Sequence, residues 1–84
     1  MSRQVSLDEK AIHQATAFLA DDPEGLRAVL AAIDALTTDP HPNGAFPFGS
    51  TGLHRLRVGP YRLLYTVTDD LISVGHIART APDT

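Results

Sequence analysis

The sequence contains no cysteine and no tryptophan, and it has only one methionine among its 84 residues. The absence of cysteine excludes disulfide bonds and thiolate metal sites, and it makes a reducing cytoplasm the expected location. No apolar run approaches the roughly 18 residues that a membrane-spanning helix needs, so no membrane partner is expected. The first six residues also lack the apolar region of a secretory signal, which favours the same location.

Lysine is nearly absent as well, because Lys10 is the only one in the chain. Residues 1–50 carry a formal charge of −4 and residues 51–84 a charge of +1, which together give the net charge of −3. A negative net charge argues against binding nucleic acid through bulk electrostatics. The positive charge of the second half is all arginine, however, and the guanidinium fork suits phosphate or carboxylate better than an ammonium group does.

The first half of the sequence predicts two amphipathic helices after a short edge strand over residues 2–5. Residues 6–9 fit a capping box, with Ser6 as the first cap and Glu9 three residues later. Asp22 and Pro23 then predict the start of a second helix, and so short a connection predicts an antiparallel hairpin. The apolar residues at helical spacing are Leu7, Ala11, Ile12, Ala15, Phe18 and Leu19 in the first helix, and Leu26, Val29, Leu30, Ile33 and Leu36 in the second.

A loop over residues 38–52 follows, because three prolines and three glycines prevent a helix or a central strand there. Phe46 and Phe48 lie within this loop. We expect their rings to pin the loop onto the core, since exposed aromatic patches are uncommon on soluble domains. The alternative is that they stay exposed for a partner.

The stretch from Leu53 to Val67 predicts a β-hairpin with a two-residue turn at Gly59 and Pro60. Glycine first and proline second is typical of a type II′ turn. Alternation predicts that Tyr61, Leu63, Tyr65 and Val67 face the core, whereas Arg62, Leu64, Thr66 and Thr68 face away from it. A third strand is predicted from Leu71 to about Arg79, with Ile72 and Val74 on one face and Ser73, Gly75 and Ile77 on the other. The whole chain, residues 1–84, is therefore predicted to be one α+β domain, an N-terminal helical hairpin packed on a small, mainly antiparallel sheet.

The hairpin sequence, L-H-R-L-R-V-G-P-Y-R-L-L-Y from Leu53 to Tyr65, resembles the signature of the RelE/ParE superfamily of bacterial toxins. That signature runs approximately Y-R-[IL]-R-V-G-[DN]-Y-R-[VL]-[IL]-Y. An acidic turn and a final strand with a Gly-His-Arg-like cluster usually follow it, and this chain has Asp69-Asp70 and then V-G-H-I-A-R ending at Arg79. The resemblance implies a microbial ribonuclease-type fold and an antitoxin partner that folds around the toxin.

In the RelE branch, the resemblance implies a metal-independent endoribonuclease that cleaves messenger RNA on the ribosome and is silenced by its antitoxin. No cofactor is implied, and His13 and His41 have no ligand partner at metal spacing. The substrate's 2′-hydroxyl attacks the adjacent phosphate, which requires a proton acceptor, cations and a proton donor. The residues that the resemblance assigns to catalysis are Arg62, Arg55, Arg79 and His76, and those assigned to RNA binding are Arg55, Arg57, Arg62 and His54.

Departures from the family pattern leave alternatives open. The region has no lysine, and the chain lacks a C-terminal tyrosine. His76 alternates with Val74, and a histidine in such a position more often lies in the core. Arg62 could instead form a structural salt bridge with an aspartate. A shift in the register of the last strand would put Ile77 in the site position that the resemblance gives to Arg79. The competing functions are a non-catalytic toxin of the ParE kind that acts on DNA gyrase, or a weak member that only binds its antitoxin. The oligomeric state stays open.

Overall fold

The computed structural model describes residues 3–49 and 52–80. Their elements follow in chain order as β1 (Gln4–Leu7), α1 (Glu9–Asp21), α2 (Pro23–Ala35), β2 (Ala45–Pro47), β3 (Leu53–Val58), β4 (Tyr61–Val67) and β5 (Leu71–Arg79). The five strands form one sheet in the order β1-β5-β4-β3-β2. β1 runs parallel to β5, and all other neighbours are antiparallel.

The two helices form a hairpin that packs on one face of this sheet, with α1 lying against β5. This arrangement confirms the predicted α+β class. The buried core lies between the two layers and consists of Ala11, Leu26, Val29, Ile33, Leu36, Leu56, Tyr61, Leu63, Tyr65, Ile72, Val74 and Ile77. Within the described residues, neither helix is long and apolar enough to cross a membrane.

The first helix begins later than the capping-box prediction placed it. Ser6 lies inside β1, where it pairs with Ser73, and Asp8 is the N-cap residue of α1. The prediction was wrong because the backbone at Ser6 is extended and lies beside β5, which leaves Ser6 unable to begin a helix. Within the described part of the chain, Asp8 makes no side-chain capping bond, so its carboxylate is available for other contacts.

The second helix begins as predicted. Asp22 is its N-cap residue, and the Asp22 Oδ1 accepts a hydrogen bond of 3.0 Å from the backbone N–H of Gly25. Pro23 occupies the first helical turn, where its missing N–H costs no intrahelical bond. The apolar stripes of the helices are narrower than predicted, because the side chains of Ile12, Leu19 and Leu30 are exposed.

The central hairpin also follows its sequence pattern. Val58 pairs with Tyr61 across Gly59 and Pro60, and Gly59 has a φ of 58°. A positive φ first and the negative φ imposed by proline second are compatible with type II′. The core face of β4 is the predicted one, with Tyr61, Leu63 and Tyr65 fully buried.

The final strand departs from simple alternation. The pairing of β4 with β5 shifts register between Leu64 and Tyr65, so that Leu64 pairs with His76 while Tyr65 pairs with Val74. Gly75 is the extra residue of this β-bulge. The bulge returns Ile77 to the core, which corrects the predicted placement of Ile77 on the face opposite Val74.

The expected burial of the two phenylalanine rings in the loop before the hairpin was also wrong. Phe46 is 53% exposed and Phe48 is 43% exposed, so neither ring pins the loop onto the core. Phe46 instead lies in the edge strand β2, where it pairs with Arg55. Arg55 lies on the face of β3 opposite the buried Leu56, so the Phe46 ring lies on the side of the sheet away from the core.

Candidate nucleic-acid interface

The face of the sheet opposite the helices carries two cross-strand rows of side chains. In the first row Arg57 pairs with Arg62, which in turn pairs with Ala78. In the second row, Phe46, Arg55, Leu64 and His76 follow one another across four strands. We call this surface, defined by Arg55, Arg57, Arg62 and His76 with the side chains between them, the outer face.

Arg57 and Arg62 are close neighbours because of the way their strands bond. The backbone N–H of Arg57 donates to the carbonyl of Gly44 at 3.3 Å, on the side of β3 that faces away from β4. The Arg57–Arg62 pair is therefore a non-hydrogen-bonded pair, in which Cα atoms lie about 4.5 Å apart. Like charges directly opposite one another destabilise a sheet, so this pair concentrates positive charge at a cost to folding.

Two of the outer-face arginines keep unsatisfied donors beneath the surface. The Nε atoms of Arg55 and Arg62 are buried and have no hydrogen-bond partner among the residues that the structure describes. Within residues 3–49 and 52–80, the one salt bridge joins Arg79 to Asp21, so neither arginine is paired with a carboxylate there. A buried donor without a partner is costly, and an anion such as a phosphate would satisfy it.

Exposed aromatic rings lie beside these arginines. The guanidinium carbon of Arg55 lies 5.5 Å from the centre of the Phe48 ring, at cation–π distance. Phe46 is the cross-strand neighbour of Arg55 on β2. Arginine beside exposed aromatic rings is the combination that binds phosphate and stacks unpaired bases in single-stranded nucleic acid.

A depression of about 260 Å³ lies on the same face, at the β-bulge. It is lined by Asp8, Leu53, Leu64, Tyr65, Thr66, Ser73, Gly75 and His76. Asp8 reaches it from the start of α1, where its backbone N–H donates to the carbonyl of Val74. The depression therefore brings together the Asp8 carboxylate, the His76 imidazole and the hydroxyls of Thr66 and Ser73, next to Leu64, the cross-strand partner of Arg55.

His76 lies in this depression rather than in the core. The bulge at Gly75 turns its side chain to the outer face, and the predicted alternation with Val74 fails for that reason. Two strand spacings separate His76 from Arg55 along the row, about 10 Å between Cα atoms. A side chain of α1 holds the ring, because Gln14 Nε2 lies 3.1 Å from His76 Nδ1.

Asp8 and Gln14 are site residues that sequence reasoning missed. In the sequence, Asp8 lies inside the predicted capping box, and Gln14 lies within the predicted first helix with no feature that marks it. Only the chain path brings them to the bulge, 62 residues away from Gln14 in sequence. One signal was present, since glycine within a strand pattern often marks a bulge.

Arg79 is not brought together with the other arginines. Its cross-strand partner is the buried Tyr61, on the helix side of the sheet. Its Nη1 donates to Asp21 Oδ2 at 2.6 Å, and its guanidinium lies 5.1 Å from the centre of the Phe18 ring. Hydrogen bonding to Asp21 raises the pKa of Arg79 further. In this arrangement Arg79 joins the end of β5 to the end of α1.

His54 also lies on the helix side of the sheet. It pairs with Tyr65, its ring stacks on that of Tyr65 at 5.5 Å, and His41 packs edge-on against it at 4.7 Å. The His54 Nδ1 lies 3.2 Å from the carbonyl of Gly52. Of the predicted site residues, the outer face thus unites Arg55, Arg57, Arg62 and His76, and it does not include Arg79 or His54.

A polar network under the hairpin turn fixes the position of β4. The Tyr61 hydroxyl donates to Asp22 Oδ2 at 2.9 Å, and the Phe18 ring packs edge-on against Tyr61 at 5.4 Å. The backbone N–H of Gly25, together with the Tyr61 hydroxyl, lowers the pKa of Asp22. Burial, with the Asp22 hydrogen bond, raises the pKa of Tyr61. The network lies beneath the turn from which Arg62 projects to the opposite face.

No protein-family model and no curated protein sequence matches this chain. Solved structures do match it. The archaeal RelE–RelB complex from Pyrococcus horikoshii OT3 gives a TM-score of 0.80 at 23% identity, over 99% of this chain and 100% of that one. The toxin–antitoxin complex RelBE2 from Mycobacterium tuberculosis gives 0.78 at 21% identity, over 94% and 99% of the two chains.

A ParE-type structure is nearly as similar. The chromosomal ParDE toxin–antitoxin system from P. aeruginosa gives a TM-score of 0.77 at 13% identity, over 95% of this chain and 98% of that chain. The order of elements and the paired signature strands of this chain thus agree with the resemblance found in its sequence. The chain therefore has the fold that these RelE-type and ParE-type structures share.

Proposed function

We propose that this protein is the toxin of a toxin–antitoxin pair, and that it cleaves messenger RNA on the ribosome until its antitoxin neutralises it. The observation that carries the proposal is the outer face. Three arginines lie there without salt bridges in the described residues, and two of them hold buried, unsatisfied Nε donors. A phosphodiester is a ligand that supplies acceptor oxygens and negative charge together.

The depression beside the arginines supplies the remaining groups for the reaction. The 2′-hydroxyl oxygen attacks the adjacent phosphorus, its proton passes to a base, and the bond to the 5′-oxygen breaks as that oxygen gains a proton. Among the described residues of the depression, the Asp8 carboxylate can take the proton, and the His76 ring can bind the reacting oxygens. Arg55 and Arg62 would stabilise the charge that builds on the phosphoryl oxygens.

Fold alone does not separate this function from gyrase inhibition, because the RelE-type and ParE-type structures have TM-scores of 0.78 and 0.77. The chemistry of the outer face favours RNA. RNA cleavage needs groups that bind phosphate, stack bases and move a proton. The outer face offers arginines for the first, exposed phenylalanine rings for the second, and a carboxylate and an imidazole in the depression for the third. An RNA phosphate that reaches the buried Nε donors of Arg55 and Arg62 would remove the cost of leaving them unpaired.

The proposed partner is a small antitoxin that folds on the toxin surface and covers the outer face. The comparison structure from M. tuberculosis is a toxin–antitoxin complex, and the one from P. horikoshii is a RelE–RelB complex. A co-purification of this chain with the product of the neighbouring small reading frame tests this part. Recovery of no stable complex would count against the pairing.

The test of the enzymatic proposal compares Arg62→Gln with Arg79→Gln during induced expression in bacteria, with the ends of cellular messages mapped. Both changes remove one positive charge, but Arg79 lies on the helix side. We expect the wild-type protein to cut messages within translated codons. The frequency of these cuts should fall about 100-fold in Arg62→Gln, which is the usual cost of losing one oxyanion donor. It should stay unchanged in Arg79→Gln. Thermal melting of both variants controls for loss of folding.

Two other outcomes would overturn the enzymatic proposal. Intact messages with blocked replication would assign the protein to gyrase inhibition, and a supercoiling assay would verify that assignment. If expression of the wild-type protein does not affect growth, the remaining function is that of a weak member that only binds its antitoxin. Equal cleavage by Arg62→Gln and wild type would remove the outer face from the mechanism.

A further inference from the structure

The side chain of Gln14 makes two hydrogen bonds to consecutive residues of β5. Its Oε1 accepts from the backbone N–H of Ile77 at 2.7 Å, and its Nε2 lies 3.1 Å from His76 Nδ1. β1 covers the edge of β5 only as far as Val74. Gln14 therefore takes the place of a strand at the uncovered edge beyond the bulge, where it satisfies a backbone donor that would otherwise be unpaired.

The contact with Ile77 decides which way the Gln14 amide points. A backbone N–H can only donate, so the group that meets it must be the carbonyl oxygen of the amide. The amide nitrogen is then the group that faces His76. That nitrogen carries two hydrogens and has no acceptor capacity, so His76 Nδ1 must accept the hydrogen bond.

An accepting Nδ1 in turn fixes the proton of the imidazole ring. In the neutral ring one nitrogen carries hydrogen and the other accepts. If Nδ1 accepts, the hydrogen is on Nε2. No hydrogen-bond partner within the described part of the chain engages Nε2, and the ring lines the depression.

We infer that Gln14 is a positioning residue that holds His76 as the neutral tautomer with hydrogen on Nε2. In this state Nε2 is a donor and cannot accept a proton. Under the proposed ribonuclease function, on which this assignment of roles rests, His76 donates a hydrogen bond to a phosphoryl or leaving oxygen. The proton of the 2′-hydroxyl then goes to the carboxylate of Asp8, and the protonated Asp8 returns it to the 5′-oxygen as the bond between that oxygen and phosphorus breaks.

The tautomer can be measured without RNA. Nitrogen-15 NMR of the ring atoms separates a nitrogen that carries hydrogen from one that does not, and His13, His41 and His54 serve as references in the same spectrum. We expect His76 in the wild-type protein to be the Nε2–H form. His76→Gln identifies its signals by their disappearance. The Nδ1–H form in the wild-type protein would overturn the inference, whatever the protein does to RNA.

Two variants of similar size test the cause. Gln14→Glu retains an acceptor for the Ile77 N–H but presents a second acceptor to His76, so the ring hydrogen should move to Nδ1. Gln14→Met removes both polar groups, so the two tautomers should mix. A His76 tautomer unchanged in both variants would show that Gln14 does not fix it. Protection of the Ile77 amide from hydrogen exchange, retained in Gln14→Glu and lost in Gln14→Met, checks that the edge contact is the one described.

The cleavage assay separates this inference from the proposed function. If wild-type protein cleaves messages and the inference holds, Gln14→Glu should lower the rate at least 10-fold while RNA affinity stays within 2-fold. Loss of affinity with an unchanged cleavage step would contradict the positioning role. If wild-type protein cleaves nothing, the ribonuclease proposal fails, while the NMR result still decides the tautomer.

Discussion

Arg57 and Arg62 face each other across the central hairpin as a non-hydrogen-bonded pair, with no carboxylate bound to either within residues 3–49 and 52–80. Side chains in such pairs leave the backbone close together, so two positively charged residues start side by side on the outer face. The repulsion between the two arginines weakens the sheet, and an anion bound between them would relieve that repulsion.

The first prediction concerns the folding cost of this pair. Arg57→Gln should raise the free energy of unfolding by about 0.2–1 kcal/mol at low salt, because a like-charge pair is relieved. The gain should shrink at high salt, where exposed charges are screened. The same variant should bind a short single-stranded RNA more weakly. Denaturant unfolding at two salt concentrations and fluorescence anisotropy with labelled RNA measure the two effects.

Arg27→Gln is the matched control for this experiment. Arg27 is exposed on α2, so its replacement changes the net charge of the protein equally without relieving a cross-strand pair. Arg27→Gln should leave both stability and RNA affinity nearly unchanged. A stability gain in Arg57→Gln that is absent, or that persists undiminished in high salt, would contradict the electrostatic reading of the pair.

The second prediction concerns the exposed phenylalanines beside Arg55. Phe46→Ala should weaken binding of single-stranded RNA by about 1–3 kcal/mol if a base stacks on its ring. Its effect on stability should be small, because the ring is 53% exposed. Anisotropy titrations with a normal oligonucleotide and with an abasic one of the same length separate stacking from phosphate binding.

Leu30→Ala provides the control for that titration, since Leu30 is similarly exposed but lies on a helix. Phe46→Ala should lose affinity for the normal oligonucleotide only, and Leu30→Ala for neither. Equal losses for normal and abasic RNA would exclude stacking and leave Phe46 with a role in shaping β2.

The third prediction is an acid dependence of stability that originates at Asp22. Its pKa in the folded protein is lowered from 3.8, first by the Gly25 N–H and then by the Tyr61 hydroxyl. A group with a lowered folded pKa contributes stability that is present above its unfolded pKa and lost as pH falls through the folded one. Wild-type protein should therefore lose stability below about pH 4, and Asp22→Asn should lose less over the same range.

The loss of stability at low pH, here called the acid limb, is measured as the change in melting temperature between about pH 6 and pH 2. Asp34→Asn is the control, because Asp34 is an exposed carboxylate on α2 whose side chain forms no hydrogen bond within the described residues. Its acid limb should match that of the wild type. An Asp22→Asn variant with an unaltered acid limb would mean that the cap and the Tyr61 contact do not favour the charged carboxylate.

Much of the fold follows from local patterns in the sequence, because those patterns report on single elements. Gly59 and Pro60 predict the turn, and alternation from Tyr61 onwards predicts the core face of β4, as observed. The same reasoning failed at Gly75, where one additional residue reverses every face that follows it. The errors on His76 and Ile77 both come from that residue.

The candidate site was predictable only in part, because it is assembled from distant segments. Arg55, Arg57 and Arg62 share one face by simple alternation within a hairpin, and the sequence places them together. Asp8 and Gln14 arrive from α1 through the parallel pairing of β1 with β5, a long-range contact that no local pattern reports. Arg79 was misjudged because the bulge at Gly75 places it on the same face as Ile77, where its carboxylate partner lies on α1, 58 residues away.

The last prediction concerns Gly25, where replacement by alanine should lower the free energy of unfolding instead of raising it. Alanine is favoured over glycine within a helix by about 1 kcal/mol, so Gly→Ala usually stabilises. Here a Cβ atom would lie 2.1 Å from Asp22 Oδ2 and 2.9 Å from Tyr61 Cε2. Both groups are held by their mutual hydrogen bond, so relief requires breaking the cap or moving a buried ring. We expect Gly25→Ala to destabilise the protein by about 1–3 kcal/mol, as overpacking does.

Denaturant unfolding measures this change, and Ala28→Gly sets the scale in the same helix. Ala28 is exposed, so its replacement by glycine should cost only the propensity difference of about 1 kcal/mol. Combining Gly25→Ala with Asp22→Ala should cost less than the sum of the single changes, because the closest contact is removed once the carboxylate is absent. If Gly25→Ala instead stabilises by as much as Ala28→Gly destabilises, the tight packing of α2 against the hairpin turn is refuted.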